Sequence, residues 1–239
     1  MGDLNITTIS KAEAENLSSD YDISLKYDGT LIYYINGRLL SPRCDRSDRF
    51  SHILNILKES NFPNCMGEMF IDKKGSCVFD VSKKENWNKA KFMIFDLIDY
   101  KDYSYKERQV LLNSLIVAKD NPFIIPMKKF NSFKEGYDYC IENNSEGLVF
   151  RNSHNWFKFK LLKEDKIEIV EHEVGKDKGT FILKNGNRIS GTSLQFVIQY
   201  TGIKNRGKKA IAEIEYPFMT KEGRYFQPRL RQIVEAEEK

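Results

Sequence analysis

Leu25-Lys26-Tyr27-Asp28-Gly29-Thr30 sets a lysine, an acid two residues on and a glycine between two apolar runs. Ser24, Leu25 and Tyr27 lead in; Leu31, Ile32, Tyr33, Tyr34 and Ile35 lead out, so both flanks read as strands. Lysine is depleted from strand centres and is seldom fully buried without a partner, so its place here asks for a reason. The glycine lets the backbone bend or approach a ligand closely. Lys26 therefore reads as a candidate nucleophile at the floor of a pocket. Taken alone, the same spacing also describes an exposed lysine before an Asp-Gly hairpin turn. The rest of the chain decides between the two.

The 239 residues allow one large domain or two small ones. With 41% hydrophobic, 13% aromatic and 30% charged residues, the chain has enough apolar material for a real core. Its apolar runs are too short to span a bilayer, and Met1-Gly2-Asp3-Leu4-Asn5 lacks a basic-then-apolar signal pattern. An intracellular protein without a membrane partner is expected. Cys44, Cys65, Cys77 and Cys140 form no C-x-x-C pair, which favours reduced, packed cysteines over a zinc site. A net charge of +4 does not by itself imply nucleic acid. Its distribution says more: Arg43, Arg46 and Arg49 cluster, as do Lys204, Arg206, Lys208 and Lys209, and Arg224, Arg229 and Arg231. Each cluster alone reads as a solvated face; three around one site suggest contacts to a phosphate backbone.

Along the chain, Ser10 to Asn16 predicts a short helix capped by Ser10. Residues 22–41 read as strand–turn–strand, with Asn36-Gly37 as a hairpin turn. Ser51–Glu59, Tyr105–Ala118 and Phe133–Asn143 predict helices, the second with Val110, Leu111, Leu112, Leu115 and Ile116 on its apolar side. Cys65–Ile71 and Cys77–Val81, around Lys73-Lys74-Gly75, read as strands; so do Lys91–Ile98, Gly147–Arg151 and Trp156–Leu161. Lys163 to Lys166 lacks apolar anchors and reads as a linker. Beyond it, Ile167–Val174, Thr180–Lys184, Arg188–Ser190 and Ala210–Tyr216 predict short strands of a small β-barrel.

Five features then fall in order: Lys26-Tyr27-Asp28-Gly29; Gly67-Glu68-Met69-Phe70-Ile71; Phe92-Met93-Ile94-Phe95-Asp96-Leu97; Ser145-Glu146-Gly147-Leu148-Val149-Phe150; and Trp156-Phe157-Lys158-Phe159-Lys160. Each has a bland reading: a surface acid, a core aromatic, a turn, one wet face of an edge strand. Together they resemble the covalent nucleotidyltransferase superfamily, most closely its ATP-dependent DNA ligases. Leu40-Ser41-Pro42-Arg43 followed by Asp48 to Ile53, Phe95-Asp96-Leu97 followed by Tyr105 to Arg108, and Ala212 to Tyr216 followed by Thr220 to Arg224 and Pro228 extend the resemblance nearly end to end. It implies an α+β chain: an ATP-grasp-like nucleotidyltransferase (adenylation) domain of antiparallel sheets and flanking helices over 1–162, then a small OB-fold β-barrel over 163–239.

By the same resemblance, Lys26 attacks the α-phosphate of ATP and becomes a lysyl-AMP phosphoramidate. With a reference pKa of ~10.4, about one lysine in a thousand is neutral near pH 7.4, a handicap of about 4 kcal/mol. Neighbouring cations and burial lower a lysine pKa. Lys158 and Lys160 share a strand face, and would supply that field and hold the phosphate. Glu68 and Glu146 match the carboxylates of the ribose and of the divalent cation, Mg²⁺ or alternatively Mn²⁺. Phe95 matches the aromatic stacked on adenine, Leu25 a nucleotide contact beside the nucleophile, and Arg43 an arginine that reads the nucleotide and then the 5′-phosphate. Arg231 matches the residue that orients the pyrophosphate. Nicked duplex DNA is the expected partner of a monomer, with Arg43, Arg46, Arg49, Lys204, Arg206 and Lys208 on its backbone.

The match has a gap. The arginine usual five residues after the nucleophile is Leu31 here, and Thr30-Leu31 is closer to some RNA ligases. An ATP-dependent RNA ligase is therefore the alternative. A GTP-using capping enzyme, and an inactive end-binding module on the same scaffold, are the further readings. Lys26→Ala separates the module from the enzymes.

Overall fold

The strand that ends at Lys26 and the strand that begins at Thr30 belong to different sheets, so the Asp28-Gly29 turn is where the chain crosses between layers. The computed structural model describes residues 6–17, 21–73, 77–118, 120–176, 178–220 and 223–236. The chain divides into two units, Met1–Leu161 and Leu162–Lys239. In order, the first unit runs β1 (Thr7–Ile9), α1 (Lys11–Glu15), β2 (Asp22–Lys26), β3 (Thr30–Ile35), β4 (Arg38–Leu40), α2 (Ser51–Glu59), β5 (Cys65–Ile71), α3 (Val78–Ser82), β6 (Ala90–Leu97), α4 (Tyr105–Val117), β7 (Ile124–Ile125), β8 (Lys129–Phe130), α5 (Phe133–Asn143), β9 (Gly147–Arg151) and β10 (Trp156–Lys160).

One sheet has the order β1-β10-β9-β2-β8 and the other β4-β3-β5-β6-β7. Both are antiparallel except for the short β1–β10 and β6–β7 pairs. Successive strand residues face opposite sides, so each sheet has two faces to account for. In the first, Leu25, Leu148, Phe150 and Phe159 pack with Ala14 of α1 and Cys140 of α5. In the second, Ile32, Tyr34, Met69, Phe92 and Ile94 pack with Ile53 and Leu57 of α2 and Leu112 and Ile116 of α4. Each fully buried large apolar side chain contributes roughly 1.5–3 kcal/mol. The other two faces meet: Phe70, Met93, Phe95 and Met127 form a cluster that Tyr27 and Trp156 join from across the gap. That gap is the cleft of the unit. α4 is fastened to the second sheet by Arg108, which grips buried Asp96 with two hydrogen bonds at 2.7 and 2.9 Å, and by Gln109 Nε2 donating to the Phe95 carbonyl at 2.8 Å.

The second unit holds β11 (Lys163–Val174), β12 (Gly179–Leu183), β13 (Arg188–Thr192), α6 (Leu194–Asn205), β14 (Ala210–Tyr216) and β15 (Arg229–Glu235) in the sheet order β13-β12-β11-β14-β15. The edge strands β13 and β15 approach each other, so the sheet curls toward a barrel around Ile169, Phe181, Leu183, Ala212 and Ile233. Five strands with a helix between the third and fourth make an OB-fold barrel.

The local expectations meet four corrections. Cys77–Val81 is not a strand: Asp80 accepts the Cys77 N–H at 3.1 Å and starts the one-turn helix α3. Lys74 and Gly75 lie outside the described residues. Lys163–Lys166 is not a linker but the first third of β11, paired in register with β14; Lys166 pairs with Glu213 at 2.5 Å and Asp165 accepts the Tyr225 hydroxyl at 2.7 Å. Charged residues persist in this strand because they face cross-strand partners. Val110 stands 69% exposed on α4 rather than on its buried side. α6 and β15 were not foreseen: α6 is apolar nearly all round, with no amphipathic stripe to mark it. The Asn36-Gly37 turn has both residues at positive φ, as a two-residue hairpin requires. Among the described residues no helix is long and apolar enough to cross a membrane.

Candidate active site

Register decides which side chains meet in the cleft. Lys26, Gly147 and Lys160 form one cross-strand row of the first sheet; Ser24, Val149 and Lys158 the next; Asp22, Arg151 and Trp156 the third. All three rows face away from the helix-packed core. Gly147 lies at φ +146°, and a Cβ there would sit 2.0 Å from the Phe159 carbonyl oxygen. Gly29 is as tight, its virtual Cβ 2.1 Å from the Met69 carbonyl oxygen. The first glycine lets β9 lie flat between the two lysine strands. The second brings the turn after Lys26 against the other sheet, where Leu31 pairs with Glu68.

At this end Glu146 bridges two lysines. Its Oε2 accepts a hydrogen bond from Lys26 Nζ, and its Oε1 lies 2.8 Å from Lys160 Nζ. Glu68 stands on the facing sheet, close against Gly29 of this turn. Burial, with repulsion from Glu146 and Asp28, pushes the Glu68 carboxyl up to about 8, against the pull of Lys26 and the Gly29 backbone. Burial and then Glu146 raise Asp28, which also accepts the Val78 N–H at 3.3 Å. Burial, then the charges of Lys160 and Lys26, lower Lys158. Displaced acids and bases gathered in one cleft make it the candidate functional site of the unit.

The far end of the cleft holds a residue that the sequence reading missed. Arg151 is 4% exposed, donates from Nη1 to Ser24 Oγ at 2.5 Å and to Met127 Sδ at 3.4 Å, and makes no ion pair among the described residues. Its guanidinium lies 5.1 Å from the Phe95 ring and 4.9 Å from the Trp156 ring. Its Nε and the hydroxyl of buried Tyr105 have no hydrogen-bond partner among the described residues. Both residues line a cavity of about 260 Å³ with Asp22, Lys106, Asn152, Ser153 and His154. A buried guanidinium without a carboxylate is costly, and its free donor suits a ligand acceptor. The available signal was positional: a lone arginine closing the buried run Gly147–Phe150, four residues from the Lys26 row.

Of the other expected site residues, Phe95 sits in the cleft against Arg151 and Trp156. Leu25 turns its side chain into the core on the opposite face, and its N–H donates to the Lys128 carbonyl at 2.9 Å. Arg43, Arg46 and Arg49 lie between β4 and α2. Arg43 is exposed; Arg46 Nε is buried without a partner; Arg49 stacks 4.6 Å over Trp87, and burial and then Arg46 lower its pKa. Lys204, Arg206, Lys208 and Arg231 belong to the second unit, where Arg206 pairs with Glu235 at 2.8 Å and Arg231 with Glu215 at 3.2 Å.

The donor set fits a nucleoside triphosphate lying along the cleft: three lysines for phosphate at one end, a carboxyl beside the turn, and an unsatisfied donor between aromatic rings at the other. Among the described residues no cluster of three or more acids, histidines or cysteines holds a metal alone. Magnesium does not need such a cage, since it takes one or two carboxylates plus substrate phosphates; Glu146 and Glu68 are the carboxylates that would serve it.

No family model matches the chain, and no curated protein sequence matches it. Solved structures do. A Lig E DNA ligase, in a work on DNA binding with a minimal scaffold, superposes with a TM-score of 0.68 at 16% identity, over 97% of this chain and 100% of that one. A mycobacterial DNA ligase D complexed with ATP and MES gives 0.54 at 17%, over 96% and 93%. A Chlorella virus DNA ligase-adenylate gives 0.51 at 17%, over 98% of each chain. At such identities the likeness is one of fold: the chain has the adenylation-plus-OB architecture found in these ATP-dependent DNA ligase structures.

Proposed function

We propose that the chain is an ATP-dependent DNA ligase that seals nicks between a 3′-hydroxyl and a 5′-phosphate in duplex DNA, with an adenylation domain over 1–162 and an OB domain over 163–239. The observation that carries this is the Lys26–Glu146–Lys160 bridge, set in a cleft that Glu68 faces from the second sheet. A lysine with a carboxylate on its Nζ and two more cations beside it is equipped for phosphoryl transfer, which needs positioning and charge stabilisation above all.

The residues divide the work by place. Glu146 fixes Lys26 Nζ and takes a proton from it as the N–P bond to the α-phosphate forms and the bond to pyrophosphate breaks. Lys158 and Lys160 stabilise charge on the α-phosphate oxygens. Glu68, facing them from the second sheet, bonds the ribose; it holds a proton more readily than an ordinary carboxyl and can donate as well as accept. Phe95 and Arg151 receive the base. Bound Mg²⁺ supplies charge neutralisation at the phosphates. AMP then passes from Lys26 to the DNA 5′-phosphate, and the 3′-hydroxyl displaces it. Arg43, Arg46 and Arg49, which make no carboxylate ion pair among the described residues, offer guanidiniums for the strand, and the protein works as a monomer.

One observation favours a second reading. Leu31 packs into the cleft cluster where the resemblance expects an arginine, as in some RNA ligases. Joining assays with ATP, Mg²⁺ and end-labelled nicks in all-DNA, all-RNA and mixed duplexes separate the two. Preferred sealing of the all-DNA nick is expected. Preferred sealing of RNA 3′ ends moves the protein to RNA repair, and no sealing with no adenylated 5′ end rejects both.

A further inference from the structure

At the Arg151 end of the first sheet, the cavity between the start of α4 and the turn from β9 to β10 has two buried polar groups in its wall that the chain leaves unsatisfied. Arg151 and Tyr105 line it and are 4% and 2% exposed. Arg151 Nε and the Tyr105 hydroxyl have no hydrogen-bond partner among the described residues. Burial pushes the Tyr105 hydroxyl well above its ordinary range, so it stays protonated and able to donate. The acids whose field reaches Arg151 are otherwise engaged. Asp22, which also lines the cavity, pairs with Lys129 at 2.8 Å; Asp96 is held by Arg108; burial keeps Glu68 protonated up to about 8. Lys106 and His154 complete the wall, both exposed and neither in an ion pair among the described residues. A desolvated guanidinium without an anion is costly, and water in the cavity would supply hydrogen bonds but no charge.

We infer that this cavity binds a free oxyanion of the phosphate class, orthophosphate or diphosphate, with Arg151 and Tyr105 donating to its oxygens from the inner wall and Lys106 and His154 facing it at the rim. None of Lys26, Lys158, Lys160, Glu68, Glu146 and Phe95 lines the cavity, so the site is separate from the phosphate end of the cleft and does not depend on the ligase reading. The wall selects the ligand. Its one acid is neutralised by Lys129, and what remains is a set of donors that converge from a strand end, a helix start and a turn. A tetrahedral oxyanion offers acceptors in each of those directions, and its hydrogen bonds to charged donors are the strong kind. A free anion also suits the depth. A phosphodiester keeps only two free oxygens between two bulky arms, whereas an inorganic phosphate enters whole and reaches two donors that solvent barely touches. The turn is set beforehand: Asn152 Oδ1 accepts the N–H groups of His154 at 2.9 Å and Asn155 at 2.7 Å, which lowers the entropy lost on binding.

The test is heteronuclear NMR of the arginine Nε–Hε groups, titrated with sodium phosphate at constant ionic strength and without nucleotide or divalent cation. The Arg151→Met variant identifies the Arg151 signal by its loss, and thermal melting checks that each variant is folded. The Arg151 signal is expected to move saturably with phosphate and to stay in place when chloride replaces it. Tyr105→Phe, which removes only the hydroxyl, is expected to weaken the titration at least about tenfold. Lys106→Gln, a change at an exposed side chain, is expected to weaken it about threefold and keeps the test decisive if Tyr105→Phe does not fold. An Arg151 signal that ignores phosphate, or that answers chloride equally, overturns the inference. So does a titration that neither Tyr105→Phe nor Lys106→Gln weakens, since the anion would then sit elsewhere. A nicked duplex that moves the Arg151 signal and is displaced by phosphate overturns it too, because the phosphate group would then belong to a strand.

Discussion

Replacing Glu68 by glutamine should make the first unit more stable at alkaline pH, the reverse of what losing a paired carboxylate does. Glu68 has a native pKa of about 8 because it is withdrawn from water and faces Glu146 and Asp28. In the unfolded chain an ordinary glutamate titrates near ~4.3. Between those values the native state holds a proton that the unfolded state has lost. Stability therefore falls as pH rises through this window and is lowest above pH 8. A shift of roughly 3.5 units at ~1.36 kcal/mol each sets a ceiling of about 5 kcal/mol. Solvent relaxation around the partly exposed Glu68 brings the working figure to about 2–3 kcal/mol. Glutamine has the size and hydrogen-bonding capacity of the protonated acid but does not titrate. Trp87 and Trp156, the only tryptophans, both lie in the first unit, so urea unfolding followed by tryptophan fluorescence reports on this unit. Wild type and Glu68→Gln should coincide near pH 3.5, below the unfolded-state pKa, and separate by about 2–3 kcal/mol near pH 8.5, the variant being the more stable. Parallel curves across that range would refute the placement of Glu68 as a carboxyl held protonated by the cleft.

Three further outcomes follow from the same geometry. Arg151→Met should weaken ATP binding by about ten- to a hundredfold in calorimetry while leaving tripolyphosphate binding unchanged, since only the base end loses a donor; stability should hold or rise, because a buried charge without a partner is removed. Arg108→Ala should cost about 3–5 kcal/mol in urea unfolding, because it strands the carboxylate of Asp96, which is 3% exposed. Gly147→Ala should cost about 4 kcal/mol or more and abolish adenylation, since its φ of +146° and the carbonyl 2.0 Å from the new Cβ leave no relaxed place for a methyl group.

The cleft was legible in the sequence as an ordered set of motifs: Lys26, Glu68, Phe95, Lys158 and Lys160 lie on the two facing sheets, and Glu146 stands immediately before β9. Alternation let Lys158 and Lys160 be placed on one face before any strand partner was known. What stayed hidden depended on partners distant in sequence. Arg151 looks like a charged strand end until register sets it beside Trp156 and across the cleft from Phe95. Lys163–Lys166 looks like a linker because its support comes from Glu213 and Tyr225, about fifty to sixty residues away. α6 is apolar on every side, with buried Tyr200 and Ile203 beside Ile198 at 72% exposure, so period carried no signal.

The central claim is that Lys26 is the nucleophile. Incubation with α-labelled ATP and Mg²⁺, followed by denaturation and proteolysis at neutral to alkaline pH, where the acid-labile P–N bond survives, and mass mapping, tests it without any assumption about the nucleic acid. One AMP on Lys26, absent from a Lys26→Ala variant with an unchanged melting temperature, is the expected result. AMP on another residue, or labelling that survives Lys26→Ala, would contradict the account.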